Sequence, residues 1–363
     1  MEGLEIMKTF WQGKRVLITG HTGFKGSWLS LWLQMLGAKV IGYSLEMPSC
    51  PSMFHAAHVG DGMQSIKGDI LDLSNLQRVL LEYQPDLLIH MAAQSLVRHS
   101  YQFPIKTLST NIMGTANVLE AARHVDSLRV VVCVTSDKCY DNKEWVWGYR
   151  ENEPMGGHDP YSASKGCAEL VISSYRRSFL SFENTVKVAS ARAGNVIGGG
   201  DWAEDRLVPD IIQAFSQNKP MIIRNPLAIR PWQHVLKPLS GYLTLAESLW
   251  NSEDESYCSG WNFGPSDDAE ITVGSLVENV AKLWGDSAEF RICTDQKQPH
   301  EARYLKLDCR KARSKLGWTP KLSLVDTLEW TLEWYKSYYQ GLPVYPLTLQ
   351  QINRYEKLLC DKR

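Results

Sequence analysis

Tyr161 and Lys165 stand four residues apart in Tyr161-Ser162-Ala163-Ser164-Lys165, a spacing that sets a phenol and an ammonium on one helical face. An ammonium nearby lowers the pKa of a phenol, so such a pair can take a hydroxyl proton while hydride leaves the same carbon. Upstream, Val132-Cys133-Val134-Thr135-Ser136-Asp137-Lys138-Cys139-Tyr140 reads as a buried strand whose end carries proton-handling groups. Ser136 can hydrogen-bond the reacting hydroxyl. A plain alcohol dehydrogenase needs only the serine, the tyrosine and the lysine. The carboxyl of Asp137 and the amine of Lys138 add a means to protonate a leaving hydroxyl and to remove an acidic C–H proton. The bland alternative for that couple is a surface ion pair or a cap at the strand end. Cys139 has no histidine beside it and reads as core, not as a nucleophile.

A second constellation lies far upstream. Gly20-His21-Thr22-Gly23-Phe24-Lys25-Gly26 follows a short β-branched run, Arg15–Thr19, and opens a segment with helical spacing of apolar residues. There Gly20 permits a tight turn, Gly23 lets the backbone approach a pyrophosphate, and Gly26 allows close helix–strand packing. The alternative is a glycine-rich turn with no ligand. A carboxylate closing the second strand would hold the ribose 2′-OH of NAD. By register that place falls to Ser44, with Glu46 also within reach, and no arginine follows to seat a 2′-phosphate. NAD is therefore expected rather than NADP. Asp69 opens the loop after the third strand, where it could meet the adenine amine or simply form an Asx turn.

Between these motifs the chain alternates strands and helices. Helices are expected at Gly26–Leu36 (capped by Gly37), Leu76–Tyr83, Thr110–Val125 and Tyr161–Phe182. Strands are expected at Arg15–Thr19, Lys39–Tyr43, Gln64–Gly68, Leu87–His90, Arg129–Thr135 and Val186–Ala193. This rhythm predicts an α/β fold, a Rossmann-type doubly wound parallel sheet with helices on both faces. After Asn195 the rhythm breaks at Gly198-Gly199-Gly200 and a series of prolines, which predicts a smaller mixed α/β C-terminal lobe for the substrate. The expected division is 1–195, with 236–262 returning to it, against 196–235 and 263–363. Helices at Leu239–Trp250 and Val325–Tyr339 complete the reading, and the spacing of Trp330, Trp334 and Tyr338 suits packing.

The 363 residues carry a formal net charge of −1, which argues against a nucleic-acid partner. Eight scattered cysteines form no C-x-x-C pair and no zinc spacing, so neither a metal nor a disulfide framework is expected. No apolar run reaches membrane-spanning length and no secretory leader pattern is legible, so a cytoplasmic protein is expected.

Taken together, the glycine turn, His90-Met91-Ala92-Ala93-Gln94, Thr135–Tyr140, Asp159–Lys165 and Gly200-Asp201-Trp202-Ala203-Glu204-Asp205-Arg206 resemble the extended short-chain dehydrogenase/reductase family, in its nucleotide-sugar 4,6-dehydratases. The similarity runs from about Trp11 to Trp334. Relatives acting on dTDP-glucose or GDP-mannose typically carry glutamate where this chain has Lys138, so the resemblance implies a CDP-sugar substrate. It further implies oxidation at C4 by Tyr161, Lys165 and Ser136, and loss of the 6-OH with Asp137 as acid. Removal of the C5 proton would fall to Lys138 or a water that it orients. For the cofactor it implies contacts from Thr22, Phe24, Ile70, Ala92, Ala93 and Asn111. For the substrate it implies Gln94, Asn195, Arg206, Arg230, Asn262 and Arg303. A homodimer or homotetramer built through a helix bundle, and a product bound for 3,6-dideoxyhexoses of surface polysaccharide, belong to the same implication. A nucleotide-sugar 4-epimerase, a dehydratase for another nucleotide hexose and a non-catalytic NAD-binding regulator are the rival readings.

Overall fold

Runs such as Val16-Leu17-Ile18 and Val130-Val131-Val132-Cys133 are wholly buried, as strands covered on both faces must be. A computed structural model describes residues 9–180, 186–223, 225–266, 269–285, 288–293 and 304–361. Its central sheet holds β1 (Arg15–Thr19), β2 (Lys39–Ser44), β3 (Gln64–Lys67), β4 (Leu87–His90), β5 (Val130–Val134), β6 (Lys187–Arg192) and β7 (Gly260–Asn262). These seven strands run parallel in the order β7-β6-β5-β4-β1-β2-β3. Alternate residues feed two cores: Val16 and Ile18 pack with Trp28 and Trp32 on one face, Leu17 with Leu76 and Val118 on the other. Strand order reverses between β1 and β4, and ligands of such sheets bind in the crevice beyond the carboxyl ends at that switch point.

Helix α1 (Phe24–Met35) leaves the glycine turn, and Gly37, at φ +81°, closes it. Helix α2 (Leu73–Tyr83) is capped by Asp72, whose carboxylate accepts from the Asn75 amide. The helix expected over Thr110–Val125 is different. Chain Pro104–Leu108 is already helical, Ser109–Met113 forms a π turn, and α3 (Gly114–Ala122) follows. That wider turn contains Asn111, whose side chain bonds outward to Gln94 and Ser164; π turns recur where a helix is bent to serve a site.

Helix α4 (Pro160–Ser178) has Asp159 as N-cap, accepting from the amide and hydroxyl of Ser162 at 2.9 and 2.6 Å, and Pro160 in its first turn. It ends before the expected Phe182, which lies outside the described residues. Helix α5 (Leu236–Asn251) packs against β5 and β6, and the chain then re-enters the sheet as edge strand β7.

Three short pairs form the smaller lobe: Val196–Ile197 with Gln233–His234, Ile229–Pro231 with Glu270–Thr272, and Met221–Ile223 with Phe290–Ile292. Helix α6 (Leu324–Tyr339) starts with a capping box between Ser323 and Asp326. On it Trp334 is buried and stacks on Tyr338 at 5.8 Å, so those aromatics serve packing. Helix α7 (Val344–Cys360) lies past the last element read from the sequence and buries Ile352 and Tyr355, the latter edge-on to Trp32. Among the described residues no helix is long and apolar enough to cross a membrane.

Candidate active site

The turn after β1 leaves a concave cradle. Gly20 sits at φ +79°, and a side chain there would bring Cβ within 2.7 Å of the Ala92 amide. A Cβ on Gly26 would overlap the Gly20 carbonyl, so both positions are closed to larger residues. No acidic side chain occupies the first turn of α1, which leaves its positive end open to an anion. Thr22 and Ser44 hydrogen-bond each other at 2.8 Å beside this turn. Glu46 instead pairs with Lys67 at the surface, so Ser44 holds the strand-end place. The Asp69 carboxylate accepts from the Leu71 amide at 2.9 Å, an Asx turn, and Ile70 packs into the gap left by Gly114. His21 is buried with Nε2 on the Ser65 hydroxyl, and burial pulls its pKa down to about 4.

The loop after β4 forms the opposite wall. Met91 and Ala92 donate their amides to Thr19 Oγ1 at 3.1 and 3.2 Å, and Ala93 follows. Asn111 accepts from the Gln94 amide at 2.8 Å and donates to the Gln94 carbonyl at 2.9 Å and to Ser164 at 2.8 Å. It clamps this loop to α4 and spends its donors and acceptor doing so.

At the end of β5 the proton-handling residues converge. Tyr161 and Lys165 share one face of α4 and are buried. Burial pushes the Tyr161 phenol up to about 12, opposed by its hydrogen bond with Ser136 and reinforced by the Asp137 charge. Burial pulls Lys165 down to about 8, with the Glu169 carboxylate pulling the other way. Ser136 donates to Asp137 Oδ1 at 2.9 Å and accepts from the Lys138 amide at 3.2 Å. Asp137 is buried against Gly194, where any Cβ would overlap its carboxyl. Lys138 lines a cavity with Val97, Tyr140, Asn142, His158, Asp159 and Leu305, beside the start of α4 that carries Tyr161. Among the described residues no ion pair joins Asp137 to Lys138.

Three features escaped the sequence reading. Lys25 donates to the Tyr242 hydroxyl at 2.9 Å across 217 residues, and burial followed by the charges of Lys165 and Arg206 lowers it to about 7. Lys25 was visible inside the glycine motif, but Tyr242 had no local signal. Glu169, one turn beyond Lys165, forms a buried ion pair with Arg192 at 2.7 Å. Gly194 reads as an ordinary strand end until Asp137 is seen against it.

The expected substrate residues divide. Arg206 pairs with Asp201 at 2.8 Å, donates to Ser95 and lies close enough to Tyr161 for their charges to interact. Asn195 adopts φ +49° directly after Gly194. Arg230 stands in the short strand Ile229–Pro231 and donates to its neighbouring carbonyl at 2.9 Å. Gln94 bonds Leu96 within its own loop and Thr107 in the helical stretch Pro104–Leu108. Asn262 differs from expectation most clearly. It is fully buried, accepts from Tyr140 at 2.7 Å and donates to the Tyr149 and Asp308 carbonyls at 2.8 and 3.1 Å. Both amide hydrogens and one lone pair of Oδ1 are spent inside the fold, which makes it a structural pin. Arg303 lies outside the described residues.

A sheet-switch crevice with a phosphate cradle on one side and a Ser–Tyr–Lys set with an added carboxyl on the other defines a nucleotide-sugar short-chain dehydrogenase/reductase. Residues 17–331 match the model of the GDP-mannose 4,6 dehydratase family, and the chain belongs to that family of NAD-dependent epimerases and dehydratases. It is 54% identical to a CDP-glucose 4,6-dehydratase of Salmonella typhimurium over 96% of this chain and 98% of that protein. A dTDP-glucose 4,6-dehydratase of Haemophilus influenzae is 26% identical over 88% of this chain and 97% of its own length. Among solved structures, the dTDP-glucose 4,6-dehydratase of Bacillus anthracis in complex with NAD superposes with TM-score 0.76 at 21% identity, covering 92% of this chain and 100% of that one. The UDP-glucose 4-epimerase of Thermotoga maritima with UDP-glucose gives TM-score 0.77 at 22% identity, covering 89% and 99%. These last two establish the shared fold.

Proposed function

We infer that this chain catalyses the 4,6-dehydration of CDP-glucose to CDP-4-dehydro-6-deoxyglucose. The observation that carries the reading is the buried Ser136–Asp137 couple set beside Tyr161, because an epimerase has no hydroxyl to expel and no use for a second acid there. The 54% identity to a CDP-glucose enzyme over nearly the whole of both chains supports the choice of nucleotide.

NAD suits the cradle: Gly20, Gly23 and Gly26 leave room for its pyrophosphate, and Ser44 and Thr22 face the ribose side. When bound, it supplies the hydride acceptor for C4 and the donor for C6. Tyr161 takes the 4-OH proton, with Lys165 holding positive charge near the phenol and Ser136 orienting the hydroxyl. The resulting 4-keto group acidifies C5–H. Lys138, or a water it holds, removes that proton and later returns it. Asp137 gives its proton to the departing 6-OH. Arg206, Arg230 and Asn195 serve the nucleotide diphosphate, planar guanidinium forks being suited to phosphate. Ile105, Met113 and Leu170, exposed apolar residues on and before α3 and α4, support a helix-bundle homodimer or tetramer. A cytoplasmic location fits a nucleotide-sugar substrate, and dideoxyhexose synthesis fits the product.

Incubating NAD-loaded protein with CDP-glucose, dTDP-glucose and CDP-4-keto product standards tests the assignment. Conversion of CDP-glucose alone is expected; a protein that returns CDP-galactose instead is an epimerase. Two variants sharpen the picture. Gly26→Ala forces the Gly20 carbonyl aside and is expected to cost about 1–3 kcal/mol of stability, with NAD binding weakened in calorimetry. Lys138→Ala is expected to slow C5 hydrogen exchange with solvent by about 10²-fold or more while NAD still binds; unchanged exchange would move the base elsewhere.

A further inference from the structure

The reaction proposed above does not leave the site as it found it. Each turnover breaks the 4-O–H bond and deposits that proton on Tyr161. It also breaks an Asp137 O–H bond, and that proton departs in water with the 6-OH. The C5 proton goes out and comes back, and the hydride lost at C4 reappears at C6, so neither alters the balance. After one cycle Tyr161 holds one proton too many and Asp137 one too few. The second turnover cannot begin until a proton has moved from phenol to carboxylate.

The two groups are buried, with Tyr161 and Asp137 at 7% and 4% exposure, so exchange of each with bulk water is hindered. Between them stands Ser136, also buried, whose hydroxyl donates to Asp137 Oδ1 at 2.9 Å and lies near enough to the Tyr161 phenol to oppose the rise of its pKa. Gly194 closes the far side of the carboxyl. Among the described residues no hydrogen bond joins the Lys138 ammonium to Asp137 or to Tyr161, and Lys138 meets Ser136 only through its backbone amide.

We propose that Ser136 resets the site between turnovers by a two-proton shift. The Tyr161 O–H bond breaks as a bond to Ser136 Oγ forms, while the original Ser136 O–H bond breaks and its proton goes to Asp137 Oδ1. Serine ends as it began, and the phenol and carboxyl regain their starting states with no other reactant. This role rests on the dehydratase reading and adds to the contact that Ser136 makes with the reacting hydroxyl.

The test is the first turnover against the later ones, followed by rapid quench on NAD-loaded protein with CDP-glucose. Wild type and Ser136→Thr, which keeps the hydroxyl, are expected to form product linearly. Ser136→Ala should give a burst of up to one product per site, followed by turnovers slower by about tenfold or more. That slow phase should quicken with added formate or imidazole, small acids able to carry the proton, and should show a raised solvent deuterium isotope effect. First and later turnovers falling by one common factor, indifferent to buffer, would overturn the relay. Wild type that leaves CDP-glucose untouched would instead sink the dehydratase reading on which the relay stands.

Discussion

Glu169→Ala is expected to remove about 3–5 kcal/mol of folding stability, the cost of stranding a buried charge. Glu169 and Arg192 are both nearly inaccessible and meet at 2.7 Å. The carboxylate also accepts from Thr135, from Ser190 at 2.7 Å and from Arg192 Nε at 2.9 Å. Arg192 donates onward to the Tyr140 hydroxyl at 2.6 Å and the Glu151 carbonyl at 3.0 Å, and Tyr140 donates to Asn262. One network thus joins α4, β5, β6, β7 and the catalytic turn. Removing the glutamate leaves the guanidinium without its counter-charge. Replacing both partners by apolar residues of similar volume should recover part of the loss. Urea unfolding of the single and double variants reads both outcomes.

The same pair fixes a pH dependence. Burial alone would raise the Glu169 pKa, but the charge and hydrogen bonds of Arg192, Thr135 and Ser190 outweigh it and hold the carboxyl below its usual range. Its contribution is therefore complete above the ordinary carboxylate range and disappears as pH falls through the depressed native value. Glu169→Gln should flatten that acid limb in urea midpoints taken across pH. Lys165 would feel the change too, since Glu169 is the charge that keeps it from falling further.

How much of this was legible follows from the range over which each signal acts. The glycine turn, the buried strands and the Tyr161–Lys165 face are local patterns, and they lie where their spacing places them. The helix around Asn111 was misdrawn because its π turn is set by bonds to Gln94 and Ser164, 17 and 53 residues away. Arg192 looks like any strand-end arginine, and only the folded chain brings Glu169 across 23 residues to meet it. The interior bonding of Asn262 escaped for the same reason: its three side-chain partners come from segments at 140, 149 and 308. Glu46 lies close in sequence to the expected ribose position, yet its register turns it outward to Lys67. Periodicity reports which face is buried. It does not report which polar group is already spent.

Gly194→Ala is expected to behave as Asp137→Asn does, although residue 194 has no proton to give. Any Cβ at 194 occupies the volume that the Asp137 carboxyl now fills, so the carboxyl must rotate off Ser136 and away from its 2.9 Å hydrogen bond. The backbone at this point has little freedom to retreat, because the Gly194 carbonyl accepts from buried Gln233 at 3.1 Å. A general acid moved by an ångström or more loses most of its effect, which places the drop in kcat at about 10²–10⁴-fold. In the proposed mechanism oxidation at C4 and exchange at C5 use Tyr161, Lys165 and Lys138, so both should survive better than loss of the 6-OH. Asp137→Asn should show the same split. Because the glycine acts only through the aspartate, the double variant should be no slower than the worse single one. Quenched-flow assay of 4-keto product, with C5 deuterium wash-in measured alongside, decides the matter. Equal loss of every partial step in a folded Gly194→Ala protein, or losses that multiply in the double variant, would detach Gly194 from Asp137 and remove the carboxyl from the elimination step.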